Sequence, residues 1–295
     1  MFDWYVDWEY QLAFVQLFLA MLGMGATLGP SDLVKLARTP RALLTGLATQ
    51  LGVIPLIAVA VAGIFDFSAG ATVGMILIGA VPGGTLSNVV CYLVGANYSL
   101  SIAMTTISTI GCLGTTPLLL RAFAADHLPA DFSMPVSQIM GEIGFGLLLP
   151  LFSGMVIGSK LGPERSPRFT RTCIRLSVIA ITVMIVGSSG AGRVDPDVFS
   201  ALLPGMLAFS TLALLAGVMP GRFLGVSTPD RTAIGVETCL RNVNLAFLVK
   251  ASVFPAVAGA ADPFVDGVFA ALLVSGAVQM LPMIPMIVAY RRGWF

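Results

Sequence analysis

The stretch Pro82-Gly83-Gly84-Thr85-Leu86-Ser87-Asn88 decides how this chain is read. It lies in the middle of an apolar run from about 70 to 95, and a helix needs roughly 20 mostly apolar residues to cross the hydrocarbon of a bilayer. A proline followed by two glycines breaks a helix and frees backbone amides and carbonyls. At membrane depth those groups must be satisfied by protein, water or an ion. Thr85, Ser87 and Asn88 add side-chain oxygens at the same level. The plain alternative is a kinked helix whose polar side chains bond their own carbonyls, but that leaves the clustering of these residue types unexplained.

Eight further runs of similar character flank this one, at about 10–29, 42–65, 98–120, 134–158, 174–192, 200–219, 228–254 and 266–290. Loop chemistry separates them, including Thr39-Pro40-Arg41, Gly95-Ala96-Asn97, Lys160 to Arg171 and Asp195-Pro196-Asp197. Of the 295 residues, 57% are hydrophobic and 11% charged, against about 25% charged in ordinary soluble proteins. The mean hydropathy is +0.93. These values exclude a soluble enzyme. A net charge of +1 with no basic patch also excludes a nucleic-acid binder. The runs are too long and too uniformly apolar for the alternating strands of a porin-like barrel. The expected fold is therefore an all-α polytopic membrane protein with nine transmembrane helices.

Basic residues favour the cytoplasmic side. Lys35, Arg38, Arg41, Lys160, Arg165, Arg168, Arg171, Arg175, Arg222, Arg231, Arg291 and Arg292 all fall at one set of ends, twelve of the 16 in the chain. Arg121, Arg193 and Lys250 fall at the other, and Arg241 lies inside a span. This places the N-terminus outside and the C-terminus in the cytoplasm, in a plasma or inner membrane. Asp3, Asp7 and Glu9 precede the first apolar run without a basic residue. A signal peptide shows the opposite pattern, so the segment reads as mature sequence. Cys91, Cys112, Cys173 and Cys239 have unrelated spacings and suggest neither disulfides nor zinc. The single histidine, His127, lies in an outer loop, which removes most histidine-based chemistry.

The eighth run holds a second polar interruption, Glu237-Thr238-Cys239-Leu240-Arg241-Asn242-Val243-Asn244. An ionisable residue within a span marks a functional site by default. A helical pair of Glu237 and Arg241, four residues apart, could be purely structural, but it does not account for Asn242 and Asn244. In the fourth run Ser101, Thr105 and Thr109 share one helix face, with Ser108 beside them; such hydroxyls can also simply join helices. The third and eighth runs are five apart, so the second interruption crosses the membrane in the opposite direction to the first. Runs 2–4 and 7–9 then form an inverted repeat, each with a broken middle helix. Paired interrupted helices in two halves point to a transporter site at the midplane.

The motif Pro82-Gly83-Gly84-Thr85-X-Ser87-Asn88, followed by Gly95-Ala96-Asn97-X-X-Leu100-Ser101 and Thr105, Ser108 and Thr109, resembles the bile acid:sodium symporter family. Gly235-X-Glu237 to Asn242-X-X-Leu245-Ala246 resembles its second signature. Met24-Gly25-X-X-Leu28, Gln50, Pro55 and Leu149-Pro150-X-X-X-Gly154 are further matches. The resemblance covers nearly the whole chain, in the nine-helix, vertebrate-like form. It implies a panel helix at 1–33, a first core half at 42–125 (spans 2–4), panel helices at 134–193 (spans 5 and 6) and a second core half at 200–290 (spans 7–9). It implies alternating access between core and panel, with sodium-coupled uptake of an organic anion that is bile-acid-like or a small carboxylate. It also implies a sodium site at Ser87, Asn88, Ser101, Thr105 and Glu237, and substrate contacts at Thr85 and Asn242. No protein partner is implied beyond the lipid bilayer and the small anion. The hydroxyl, amide and carboxylate oxygens of those five residues suit a hard cation.

By the same resemblance a second sodium site would use Gln50, Glu237 and a glutamine four residues after it, where this chain has Arg241. A guanidinium donates hydrogen bonds, accepts none and keeps its charge, so it cannot ligate sodium. Either Arg241 replaces the second ion, leaving one sodium or none, or it points into the cavity and binds the substrate's acidic group. A sodium-independent organic anion carrier, or a relative that binds without transporting, is the alternative that Arg241 raises. An intramembrane enzyme lacks its machinery here, because no run holds a histidine, an aspartate pair or an HExxH motif. Glu142, in the fifth run, either reaches outer water by a tilt or lines the cavity between panel and core.

Overall fold

A computed structural model describes residues 3–28, 40–130, 132–193, 195–257 and 262–292. Lys35 and Arg38, and the side chains of Asp3, Thr85, Tyr290 and Arg291, lie outside the described set. The first helices are α1 (Asp3–Gly25), α2 (Pro40–Ala48), α3 (Ile54–Ile64), α4 (Ala69–Ala80), α5 (Thr85–Leu93), α6 (Tyr98–Phe123) and α7 (Val136–Glu142). They are followed by α8 (Leu149–Gly190), α9 (Pro196–Phe223), α10 (Thr228–Cys239), α11 (Val243–Val253), α12 (Pro263–Val278) and α13 (Met283–Arg291). No β-strand occurs among the described residues, only one isolated bridge between Gly83 and Arg241.

Five helical stretches are long and apolar enough to cross a membrane: Pro40–Ile64, Tyr98–Phe123, Val136–Gly190, Pro196–Phe223 and Pro263–Ala289. The chain is an all-helical, polytopic integral membrane protein. At 1.5 Å per residue, α4 (12 residues) and α11 (11 residues) reach about 18 Å and 17 Å, short of the roughly 30 Å hydrocarbon core. Each is one part of an interrupted helix.

Prolines shape the longer helices. Pro55 and Pro150 stand just inside α3 and α8, and each is preceded by a π-helical stretch, Thr49–Val53 and Ile143–Leu148. A proline removes one N–H and crowds the carbonyl four residues back, and a local shift to wider turns relieves both. Lys160 to Arg171, expected as a loop, is instead helical on both sides of a one-residue break at Gly162 (φ 72°, ψ 177°). Glycine tolerates that left-handed φ, and Pro163 then presets the dihedral of the following helix. The two arms of α8 run in opposite directions along α1. Gly154 on the first arm lies against Leu22, Gly25 and Ala26, while Thr170 Oγ1 on the second donates to Gly23 O at 3.2 Å.

Residues 266–290, expected as one span, are interrupted between α12 and α13. Gln279 lies in this break, and its Oε1 accepts from the Arg241 amide at 2.9 Å. The interruption joins the last helix to the second polar stretch.

Candidate functional site

Two helix breaks meet in the protein interior. Pro82, Gly83 and Gly84 end the helical path after α4, with Val81 and Gly84 extended. Leu240 leaves the helix after α10, and Asn242 caps α11 by accepting from the Leu245 amide at 3.1 Å. The Gly84 amide donates to Leu240 O at 2.8 Å, and the Asn242 amide donates to Pro82 O at 2.9 Å. Each break thereby satisfies backbone groups freed by the other, as a solvent-free interior requires.

The crossing places Ser87 in the first turn of α5, Glu237 in the last turn of α10, and Ser101 and Thr105 one turn apart on α6. Glu237 is fully buried. Its Oε1 accepts from Ser87 Oγ at 2.6 Å, Ser101 Oγ at 2.5 Å and Thr105 Oγ1 at 2.7 Å. The same three hydroxyls also face Gly84 O at 2.6 Å, Asn88 Oδ1 at 2.7 Å and Ser101 O at 3.0 Å. Each hydroxyl has one proton to donate, so three protons face four acceptors. This oxygen cluster is poor in protons and rich in lone pairs, which suits a hard cation that needs oxygens and no hydrogens. The structure brings Ser87, Asn88, Ser101, Thr105 and Glu237 together.

Glu237 Oε2 lies beside Gly83, where any Cβ would overlap it, and it has no hydrogen-bond partner. Arg241 is buried and turns toward the C-terminal end of α4. Its Nε donates to Ile78 O at 3.2 Å, and its Nη2 donates to Gly79 O at 2.8 Å and to Val81 O. These are carbonyls at the negative end of a helix, where a cation is favourable. Nη1 is left without a partner. Gln50, in the π-helical stretch that packs against α10, is fully buried with both amide atoms unpartnered. The altered second-ion residues are thus buried and incompletely satisfied, with the guanidinium anchored on backbone.

A cavity of about 640 Å³ opens beside the crossing, between α1 and the second arm of α8 on one side and α5 and α6 on the other. Its walls are mostly apolar, and none of the residues lining it is charged. Asn88 and Asn244 reach it from the crossing. Neither Asn242 nor Arg241 is among its lining residues. Thr85 opens α5, and its side chain lies outside the described residues.

Several polar residues emerge that the motifs did not single out. Gln16 and Ser177 form a buried pair on the cavity wall, Gln16 Nε2 donating to Ser177 Oγ at 3.1 Å. Lys250, read as lying at a span end, is fully buried and holds Glu9 at 2.7 Å. Glu142 neither lines the cavity nor stands free; it accepts from Tyr10 and Ser252. Gln16, an amide inside an apolar run, was the available signal for one of these positions.

Crossed, interrupted helices around an oxygen cluster next to a cavity are the layout of a secondary transporter. Residues 14–191 match the sodium bile acid symporter family, and the chain belongs to that family, whose members are transporters rather than enzymes. An uncharacterized sodium-dependent transporter of Bacillus subtilis is 32% identical over 241 residues, which is 79% of this chain and 72% of that protein. The hepatic sodium/bile acid cotransporter of Rattus norvegicus is 28% identical over 253 residues, covering 82% of this chain and 67% of the relative. A probable chloroplastic sodium/metabolite cotransporter of Arabidopsis thaliana is 29% identical over 246 residues, covering 81% and 59% respectively.

Proposed function

We propose that this protein takes up an organic anion together with sodium by alternating access, and that one sodium is carried per cycle. The oxygen cluster around Glu237 Oε1 is the observation that carries this reading. Ser87, Asn88, Ser101, Thr105 and Glu237 would hold the ion, the three hydroxyls keeping their protons and turning them to other acceptors so that their lone pairs and the carboxylate face the cation. Asn88 belongs to the cluster and also lines the cavity, so ion and substrate would share one side chain. The α5 and α11 N-termini meet at the crossing, and their dipoles favour an anion there.

The Arg241 contacts support charge replacement over direct substrate binding, because the guanidinium lies on α4 carbonyls and off the cavity wall. We assign spans 2–4 and 7–9 to a core and spans 1, 5 and 6 to a panel, giving nine spans with an inverted repeat. The packing of α1 along both arms of α8 fits a panel unit. The cavity is lined by α1 from Gln16 to Leu28 and by α8 from Thr170 to Ile181, the stretches nearest the Gly162 reversal; Lys160, Arg165, Arg168 and Arg171 flank that reversal, so this end would face the cytoplasm with the N-terminus outside. The test is uptake of a panel of organic anions into proteoliposomes with and without a sodium gradient. Sodium-dependent uptake with a Hill coefficient near one is expected. A coefficient near two would refute the single-ion reading, and sodium-independent uptake would refute the coupling.

A further inference from the structure

At the end opposite the cavity the helices are fastened. Lys250 Nζ on α11 donates to both oxygens of Glu9 on α1, at 2.7 and 2.9 Å. Arg193, in the connection before α9, donates from Nη1 to Glu9 Oε2 at 3.2 Å and from Nε to Asp266 Oδ1 on α12 at 2.9 Å. Both cations lie over the Phe269 ring, Arg193 at 5.2 Å and Lys250 at 5.6 Å. Two acids and two bases leave the cluster neutral. Beside it, Glu142 accepts from Tyr10 OH on α1 at 3.0 Å and from Ser252 Oγ on α11 at 2.7 Å.

We infer that Glu9 and Lys250 form a gate that shuts this end of the transporter, with Glu142 and Ser252 as a second tie. This inference rests on the alternating-access reading above. The position of α11 is the main argument. It begins at the crossing with the Asn242 cap and carries Lys250 and Ser252 toward the closed end. Movement of the ion site therefore pulls on both ties. α1 supplies Glu9 and Tyr10 to the closed end, and Gln16 and Met24 further along to the open cavity. One helix thus borders the closed end and the open cavity.

The energetics favour a gate over a rivet. A buried ion pair loses hydration that its Coulomb attraction only about repays, so apolar residues of similar volume would hold the helices at least as well. When the face opens, all four charges regain water, and the two arrangements come close in free energy. A bistable element needs that balance.

Side-specific thiol labelling tests the proposal without substrate or sodium. Asn244→Cys, on the cavity wall, is introduced into a chain lacking the four native cysteines and labelled with a membrane-impermeant maleimide from either side of oriented vesicles. Glu9→Gln should raise labelling from the gate side by about tenfold and lower it from the cavity side, as a change of about 1.4 kcal/mol in the equilibrium between the two states would do. Should Glu9→Gln fail to fold because Lys250 is left unpaired, Glu142→Gln probes the half-buried second tie and should shift labelling in the same direction. The neutral pair Glu9→Gln/Lys250→Met retains most of the packing and has no charge to rehydrate, so it should lower labelling from the gate side. Unchanged labelling from both sides in a folded variant would overturn the gate. A parallel rise on both sides would indicate loosened packing and would overturn it equally. Failure of sodium-coupled uptake would leave this readout intact, so the two readings fall separately.

Discussion

Replacing Glu237 with glutamine tests the ion site most directly. Glu237 Oε1 is the shared acceptor of three hydroxyls within 2.7 Å, and it is the only acidic group in the cluster. The substitution preserves shape and one carbonyl oxygen but removes the full charge facing the cation. Removing one partner of a buried charge pair costs about 3–5 kcal/mol, equivalent to roughly two to three and a half decades in sodium affinity. Thermal unfolding in detergent, with choline balancing ionic strength, reads this loss. At a sodium concentration about a hundredfold above the dissociation constant, binding stabilises the wild type by about 2.7 kcal/mol. A hundredfold weaker variant would retain about 0.4 kcal/mol at the same concentration. Without sodium the variant should be at least as stable as the wild type, because an uncompensated buried carboxylate is costly. A Glu237→Gln protein that keeps the wild-type sodium shift would remove Glu237 from the site. Substrate uptake should be lost in parallel with the sodium shift.

Gly83→Ala should cost about 1–3 kcal/mol in stability and weaken sodium stabilisation, since the new methyl collides with Glu237 Oε2; the same unfolding assay checks it, and wild-type behaviour would show that the carboxylate has room to move. Asn88→Ala removes an acceptor shared by the cluster and the cavity wall. Its apparent affinities for sodium and for substrate should both fall, each by roughly fivefold from the loss of about 1 kcal/mol. A fall in only one of them would separate the two sites. Lys250→Ala leaves Glu9 with only Arg193 as a cationic partner and should destabilise the fold by about 3 kcal/mol or more, read as a lower unfolding midpoint.

Helix content and the broken helices were legible because their signals are local. Apolar run length, Pro82-Gly83-Gly84 and the polar cluster of the eighth run each act within a few residues of chain. The residues proposed to hold sodium were legible through motif resemblance, and the structure puts Ser87, Ser101 and Thr105 on one Glu237 oxygen with Asn88 beside them. Contacts between distant residues were not legible. Nothing near Glu9 in the chain announces Lys250, 241 positions away. Nor does the chain around Gln279 announce its bond to the Arg241 amide, 38 positions away. The two expectations that changed, a loop at 160–171 and an unbroken span at 266–290, failed for backbone reasons. A glycine able to take a positive φ reversed the chain in one residue, and the break at Gln279 is tied to the crossing.

Arg241 has a consequence for the driving force. With Glu237 negative, Arg241 positive and one sodium bound, the crossing carries one net positive charge. A glutamine at 241 with two sodium ions would give the same total. The net charge near the anion is therefore the same in both versions, but the arginine returns with the protein on every cycle and carries no charge across. For a monoanionic substrate, one sodium makes transport electroneutral, and the membrane potential cannot concentrate the substrate. A second sodium would add one moving charge, worth about 2.3 kcal/mol per 100 mV, or roughly a fiftyfold gain in accumulation. Proteoliposomes with a fixed sodium gradient and a potassium diffusion potential of about 100 mV, inside negative, separate these cases. Wild-type accumulation should not change when the potential is applied, and Arg241→Gln should become potential-sensitive as the second cation site is restored. Wild-type accumulation that rises with the potential would mean that more positive charge crosses than one sodium supplies, and the tethered cation would then not be standing in for an ion.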